Sequence, residues 1–288
     1  MEWANAILQG IMLGGLYGLF AAGLSLIFGV MRLVNIAHGD LIVLAAFLAL
    51  SVVDLLGIHP LLSLVVTIPL MAAFGYVLQR YVLNRTLGRD ILPPLMVTFG
   101  LSVILQNVLL TVYSADSRKL YAGALETASI HLTPDISLGV LPLLMFATAV
   151  AAVGGLQVVF YRTALGRAFR AVSDDAEIAQ VMGLDNRKVY AGAMALALAV
   201  VAIAGVFLAM RANFDPASGP ARLIYGFEAV IIGGLGNIWG TLLGGIILGV
   251  AQTIGAQIDP GWQLLAGHLT FLVILALRPQ GLMPRMDD

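Results

Sequence analysis

The chain has 288 residues, of which 60% are hydrophobic and 11% are charged, with a formal net charge of −1. Soluble domains carry about 25% charged residues, so this composition indicates a polytopic membrane protein. The charge balance argues against a nucleic-acid partner. The absence of cysteine excludes disulfides, iron–sulfur clusters and thiolate zinc sites.

Eight runs are free of Asp, Glu, Lys and Arg: 3–31, 41–53, 55–79, 91–115, 136–161, 189–210, 229–258 and 260–277. A spanning helix needs about 20 apolar residues. The N-terminus has no basic region, so we expect the first run to be a permanent span rather than a cleaved signal. The run 41–53 spans only with residues borrowed from 36–40 and from beyond Asp54. The run 229–258 is too long for one straight helix.

The middle of that last long run reads GGLGNIWGTLLGG, which predicts a division near Gly236–Asn237; a re-entrant 41–53 is the alternative. The hydrophilic connections are too short to form a core of their own. We therefore predict an all-α fold for residues 1–288. It is one transmembrane domain of about 8–9 hydrophobic helices, some of them short or broken.

Basic residues set the orientation, because they are enriched in cytoplasmic loops. Eleven can share one side: Arg32, Arg80, Arg85, Arg89, Arg162, Arg167, Arg170, Arg187, Lys188, Arg278 and Arg285. Four fall on the other: Arg118, Lys119, Arg211 and Arg222. The first group is predicted to be cytoplasmic, which places the N-terminus outside and the C-terminus inside after an odd number of crossings.

Small residues recur at four-residue intervals in three stripes: Gly10, Gly14, Gly18 and Ala22; Gly236, Gly240 and Gly244; Gly245 and Gly249. Such stripes let helix backbones approach closely in lipid. They serve either packing within one subunit or a seam between subunits. The stretch GLGNIWG departs from the dinucleotide fingerprint, and no GxxxxGK[ST] phosphate loop occurs in the chain.

The connection 162–188 is the longest polar sequence of helix-forming composition. Ser173, Asp174 and Asp175 offer an N-cap and an acidic first turn, and Gly183 ends a helix predicted over about 174–182. Small or polar side chains share one face of that helix at positions Ala176, Ala179, Gln180 and Gly183. The segment is either a solvated loop or a docking helix for a cytoplasmic partner.

The segment from Glu177 to Gly183, EIAQVMG, resembles the E-A-A-x-x-x-G signature of membrane subunits in binding-protein-dependent ABC importers. Ile178 departs from its second position. Three further segments, LIFGVMRLVNIAHGD, GRAFRAVSDDAEIAQVMGLD and AVIIGGLGNIWGTLLGGIILG, occur in order, and LRPQGLMPR follows. Together they resemble the permease subunits of branched-chain amino acid importers, over about residues 5–285.

This resemblance implies a permease subunit that pairs with a second, related permease, usually as a heterodimer, in a bacterial or archaeal plasma membrane. Two cytoplasmic ATPase subunits bind ATP and Mg²⁺, and a periplasmic or lipid-anchored binding protein delivers a small polar solute. The chain itself then needs no cofactor, metal or catalytic residue. Coupling to the ATPase is carried over onto Ser173, Asp174, Asp175, Ala176, Glu177, Ala179 and Gly183.

Polar groups at membrane depth are costly and need a reason. The candidates are Asn35, His38, Asp40, Gln106, Asn107, Glu228, Asn237, Gln252, Gln257 and His268. We expect Asn35, His38, Asp40, Glu228 and Asn237 to line or gate the path. Two structural alternatives stand beside that hypothesis. The first is a tight bend at Gly39 capped by Asp40 or Asn35, and the second is a carboxylate in the first turn of a half-helix for Glu228.

His38 and Asp40 do not share a helix face, and no nucleophile accompanies them, so a metal site and a catalytic dyad are both disfavoured. Gln106 and Asn107 are expected to form interhelical hydrogen bonds. His268 is expected to be a packed core histidine.

Three classes of function compete. The favoured one is the permease subunit of an ATP-driven importer for branched-chain or other amino acids, with urea or short amides as the alternative solutes. A stand-alone secondary transporter or channel would carry carboxylates well inside several spans, whereas those of this chain lie at the edges of the runs. An intramembrane enzyme is disfavoured by the absence of HExxH and GxSxG motifs.

Overall fold

The computed structural model describes residues 2–88, 90, 92–133 and 136–283. Twelve described α-helices follow one another along the chain. Their bounds are α1 (Glu2–Met31), α2 (His38–Leu56), α3 (Leu64–Tyr81), α4 (Leu92–Tyr113), α5 (Ala124–Thr127), α6 (Val140–Arg162), α7 (Ala164–Asp174), α8 (Ala176–Val181), α9 (Asn186–Arg211), α10 (Gly219–Gly233), α11 (Ile238–Ile258) and α12 (Gln263–Leu277). Arg89 and Arg285, used above for orientation, lie outside the described residues.

Three short 3-10 turns are described: Pro60–Ser63 and Leu83–Arg85 flank α3, and Pro260–Trp262 precedes α12. Strands β1 (Ser129–Thr133) and β2 (Ile136–Gly139) pair antiparallel between α5 and α6. The all-α prediction is confirmed for the bundle, and this hairpin is an addition that the sequence did not indicate.

Eight described segments are long and apolar enough to cross a membrane: α1, α2, α4, α6, α9, α11, and α3 and α12 together with their 3-10 turns. Lipid offers the backbone no hydrogen-bond partners, so charge-free runs of this length form helices. The division of the run 229–258 is confirmed, because α10 ends at Gly233 and α11 begins at Ile238. Helix α2 contains the short run 41–53 and extends beyond it on both sides, as the sequence analysis expected for a run too short to span alone.

The termini lie at opposite ends of the bundle. Glu2 meets the end of α11, where Gln257 Nε2 lies 3.5 Å from its carboxylate. The C-terminal segment meets the end of α10, where the Leu282 amide donates to the Ile232 carbonyl at 2.9 Å. We call the end that carries Glu2 the N-terminal end, and the end that carries residues 162–188 the α8 end.

Helix α1 packs along α11 through the predicted glycine stripes. A Cβ added to Gly245 would lie 2.6 Å from the Gly14 carbonyl oxygen and 2.6 Å from the Gly18 amide nitrogen. Gly249 meets the backbone of Gly10 and Gly14 in the same way. These stripes therefore serve packing within one subunit, the first of the two alternatives. Buried side chains of α1, α2 and α9 form most of the core around this contact.

Helix α10 begins inside the bundle instead of at its surface. Gly219, its first residue, lies against the backbone of Gly39 and the side chain of Asp40. Gly226, two turns later, lies against the Phe20 backbone in the middle of α1. The irregular segment 212–218 and the 15-residue α10 thus together supply the additional pass that places the termini at opposite ends.

Candidate functional site

The predicted bend between α1 and α2 is an irregular segment, residues 32–37, that ends in a turn. It begins at Arg32, whose φ is +50°, and returns alongside α1. The His38 ring then lies 2.8 Å, through Nε2, from the Phe20 carbonyl oxygen. Phe20 precedes the end of α1 by 11 residues, about 16 Å at 1.5 Å per residue. Helix α2 therefore starts at membrane depth.

Gly39 and Asn35 do not act at this bend as expected. Gly39 is helical, and the structural reason for glycine there is the backbone of Gly219, which leaves no room for a Cβ. Ala37 is the N-cap of α2 and provides no side-chain cap. The Asn35 Oδ1 instead accepts from the Ala37 amide at 3.1 Å, which forms a turn before the helix. The expected helix cap by Asn35 or Asp40 was wrong.

Asp40 is the centre of a buried polar cluster between α2 and α4. It is 1% exposed. The Ser102 hydroxyl donates to its Oδ2 at 2.5 Å, and the Gln106 amide donates to its Oδ1 at 2.9 Å. Among the described residues no cation lies within ion-pair distance of Asp40. Hydrogen bonds from neutral groups thus compensate a carboxylate in an apolar bundle.

The expectation of interhelical bonds holds for Gln106 and was wrong for Asn107. Gln106 bridges α4 to α2. Asn107 is exposed, and its Nδ2 donates to the Val103 carbonyl of its own helix at 2.8 Å. Consecutive helical residues point about 100° apart, so Gln106 faces the cluster and Asn107 points away from it.

Glu228 lies in the tenth position of α10, far from its first turn, so the dipole explanation was wrong. It is 5% exposed. Its Oε1 lies 2.5 Å from Nδ1 of His268 on α12, and its Oε2 has no described hydrogen-bond partner. The His268 side chain is 42% exposed, so it is not the packed core histidine that we expected.

Asn237 caps α11. Its Oδ1 accepts from the Gly240 amide at 2.8 Å. The preceding turn contacts Gly29, near the end of α1. The structure thus brings Asn35, His38 and Asp40 together at depth, Glu228 onto α10, and Asn237 to the α8 end.

The connection 162–188 folds into two helices where one was predicted. Helix α7 ends with Ser173 and Asp174, so these two residues do not begin the predicted helix. Helix α8 begins after Asp175, whose Oδ1 accepts from the Glu177 and Ile178 amides at 2.9 Å. Gly183, with φ +93°, ends the turn, as the sequence indicated.

Helix α8 is tied to the bundle near its start. The Ser173 hydroxyl, at the end of α7, donates to the Gly29 carbonyl of α1 at 2.6 Å. The Asn186 side-chain amide, at the start of α9, donates to the carbonyl of Ala176, the first residue of α8, at 2.6 Å. A rigid-body movement of α8 would therefore act directly on α9, and on α1 through α7.

The face that α8 offers outward matches the predicted one only in part. Gln180 and Gly183 are exposed, whereas Ala179 is 4% exposed and packs with the half-buried Ala176 against the chain itself. Three large apolar residues also point outward: Ile178 is 62%, Val181 86% and Met182 79% exposed. Beside them lies a groove of about 520 Å³ lined in part by Asn84, Leu87, Gln180, Gly183 and Tyr190.

Sequence reasoning named Gln106 but did not pair it with Asp40, and it missed Ser102. Ser102 and Gln106 lie four residues apart, on one face of the run 91–115, and that spacing was the available signal. It also missed α7, which carries an unusually strong segregation of apolar and polar faces, with Phe169 and Val172 buried.

The chain matches, over residues 6–277, the family model described as branched-chain amino acid transport system / permease component. It is 30% identical to the high-affinity branched-chain amino acid transport system permease protein BraD of Pseudomonas aeruginosa, over 99% of this chain and 97% of that protein. It is also 30% identical to the probable branched-chain amino acid transport permease protein LivH of Methanocaldococcus jannaschii, over 86% of this chain and 80% of that protein.

Among solved structures, the chain is similar to PsaBC from Streptococcus pneumoniae in complex with Fab, with a TM-score of 0.50 and 13% identity over 96% of this chain and 93% of that one. That likeness concerns the fold alone. The family match covers nearly the whole chain and confirms the resemblance inferred from its motifs. This multi-pass membrane protein belongs to the permease components of branched-chain amino acid transport systems.

Proposed function

We propose that this chain is a permease subunit of an ATP-driven importer that takes up branched-chain amino acids. A second permease subunit completes the path, two ATPase subunits bind at the α8 end, and a solute-binding protein binds at the N-terminal end. The names of its relatives support the solute class. The grouping of basic residues supports a cytoplasmic α8 end.

The observation that carries this proposal is the exposed apolar face of α8. Three large apolar side chains, Ile178, Val181 and Met182, stand outward on a helix that is anchored directly to α9 and, through α7, to α1. An apolar patch at a membrane protein's aqueous end favours a protein partner. In this proposal the ATPase dimer holds α8, and its closure on ATP moves α1 and α9.

The proposed path runs along the helices that break at depth. Helices α2 and α10 both begin inside the bundle and touch at Gly39 and Gly219. Helix ends at depth offer unpaired backbone groups to a polar solute. Asn35, His38 and Asp40 lie at this junction, and small shifts between α2 and α10 would open or close it.

A stand-alone proton-coupled carrier is the second candidate, because Asp40 and Glu228 are buried within the bundle instead of lying at its edges. Their burial removes the sequence argument against that class. Flux through the purified chain without an ATPase distinguishes the two functions.

The docking test changes Ile178 and Val181 together to Asp and measures co-purification with the ATPase. We expect binding to fall at least tenfold, since two charges would enter an apolar contact. The matched control is Lys188→Ala, an exposed position at the same end, which should bind normally. Normal ATPase binding by the double variant would refute the docking proposal.

A further inference from the structure

Four basic residues lie toward the N-terminal end, and the structure divides them into two pairs. Arg118 lies 3.8 Å from the Asp116 carboxylate, and Lys119 lies 2.7 Å from that of Glu126. Arg211 and Arg222 have no carboxylate within ion-pair distance among the described residues. Arg211 is exposed, whereas Arg222 lies within α10, where an uncompensated cation needs a reason.

Arg222 is the deeper of the two. It lies in the first turn of α10, just after Gly219 has brought that helix against Gly39 and Asp40 at membrane depth. Its Nε is closed off from solvent and has no hydrogen-bond partner among the described residues. A charged side chain at such a depth faces a partner or a water-filled cavity.

The surroundings of Arg222 are rich in donors. Tyr225, one turn further along α10, lies with its ring 5.0 Å from that of Tyr17. The Tyr17 hydroxyl donates to Gln252 Oε1 at 2.6 Å, which leaves the Gln252 Nε2 buried without an acceptor. Arg222 and Tyr225 are three residues apart and so share one face of α10. A chain of neighbours therefore runs from Arg222 through Tyr225 and Tyr17 to the Gln252 amide.

An anion with two oxygens would satisfy these hydrogen-bond donors. A planar carboxylate accepts two parallel bonds from a guanidinium, and an oxygen left over can accept from an amide. Urea or a neutral amide would leave the Arg222 charge uncompensated.

We propose that Arg222, assisted by Gln252, binds the carboxylate of the transported amino acid after it leaves the binding protein. This inference rests on the proposed function and adds a residue that selects for the carboxylate. It also accounts for the unpaired cation at the start of α10.

The test uses the complete transporter reconstituted in liposomes: both permeases, the ATPase subunits and the binding protein. Two quantities are measured separately: ATP-driven uptake of radiolabelled leucine, and stimulation of ATP hydrolysis by the binding protein. We expect Arg222→Gln to lower uptake at least tenfold and to leave the stimulation within twofold. Leucine uptake by Arg222→Lys should lie between that of the wild type and that of Arg222→Gln, since a lysine cannot form two parallel hydrogen bonds. The control Arg118→Gln, at an exposed pair, should transport normally.

Three results would overturn the proposal. The first is uptake within twofold of wild type in Arg222→Gln. The second is loss of binding-protein stimulation together with uptake, which would make Arg222 a docking residue. The third is failure of both Arg222 variants to assemble, which would assign Arg222 to the partner permease. If only Arg222→Gln fails to assemble, Arg222→Lys decides: reduced uptake supports the site and unchanged uptake contradicts it.

The proposed function fails in a different way. If the wild-type complex transports urea or acetamide and no leucine, the amino-acid assignment is wrong, and the carboxylate site is wrong with it. If the wild type transports leucine and Arg222→Gln does so equally well, the site alone is wrong.

Discussion

Replacing Asp40 by alanine should destabilise the protein more than any conservative change at the same position. Asp40 is 1% exposed and accepts from Ser102 at 2.5 Å and from Gln106 at 2.9 Å. Hydrogen bonds to charged groups contribute about 1.5–3 kcal/mol each, and an abandoned buried donor costs about 1–3 kcal/mol. The Gln106 amide keeps a weak alternative, the Ser102 oxygen at 3.3 Å.

Since one donor keeps a partner, we expect Asp40→Ala to lower the free energy of unfolding by about 2–4 kcal/mol. Asp40→Asn retains an acceptor of the same shape and should lose about 1 kcal/mol. The assay is reversible unfolding in mixed micelles, followed by tryptophan fluorescence. The control is Asp116→Ala, an exposed carboxylate, which should change stability by less than about 0.5 kcal/mol. Equal stability of Asp40→Ala and Asp40→Asn would refute the argument that the cluster is held by its acceptor.

Three further predictions concern packing, pH and coupling. Gly245→Leu should lower the free energy of unfolding by about 3 kcal/mol, because the nearest atoms at 2.6 Å are backbone of α1; Gly154→Leu, which meets open space, should be near neutral in the same micelle assay. The Lys119 ammonium and the Ala122 amide hold the pKa of Glu126 below its ordinary value of 4.5, so this contact stabilises the loop above pH 4.5 and is lost as pH falls through the lowered pKa. Hydrogen exchange of the Ala122 amide between pH 3 and 6 should show protection disappearing toward the acid side, and pH-independent protection would contradict this. Ala179→Arg, at a position 4% exposed, should cut transport at least tenfold while membrane insertion stays intact; normal transport would show that α8 does not need its inner contact.

The orientation can be measured directly because the chain has no native cysteine. A cysteine introduced at Asp175 should label from the cytoplasm. On the other side Tyr121, which is 78% exposed, is the suitable position, since the neighbouring Leu120 is only 3% exposed. The reverse labelling pattern would contradict the proposed orientation.

The helices could be predicted from the sequence because lipid offers no hydrogen-bond partners. The backbone N–H and C=O groups of every span must therefore bond within the span. The division before α11 could be predicted too, since Gly234 and Gly236 adopt positive φ there. The start of α10 could not, because a rule based on charge-free runs places Arg222 and Glu228 outside any span. Both residues lie within that helix.

The site was harder to predict because its contacts join distant residues. Asp40 meets a serine and a glutamine 62 and 66 residues away, and no local spacing encodes such a pairing. The outward face of α8 depends on which side packs against the bundle. Its small residues favoured a groove, whereas the fold turns Ala176 and Ala179 inward and leaves Ile178, Val181 and Met182 outside.

The central claim is that the chain works as a subunit of an ATP-driven importer. Its most direct test is leucine uptake into liposomes that contain the permease chains with or without the ATPase and binding protein. We expect uptake that requires all components and ATP, with no flux above background through the permease chains alone. Robust leucine flux through this chain without an ATPase would contradict it.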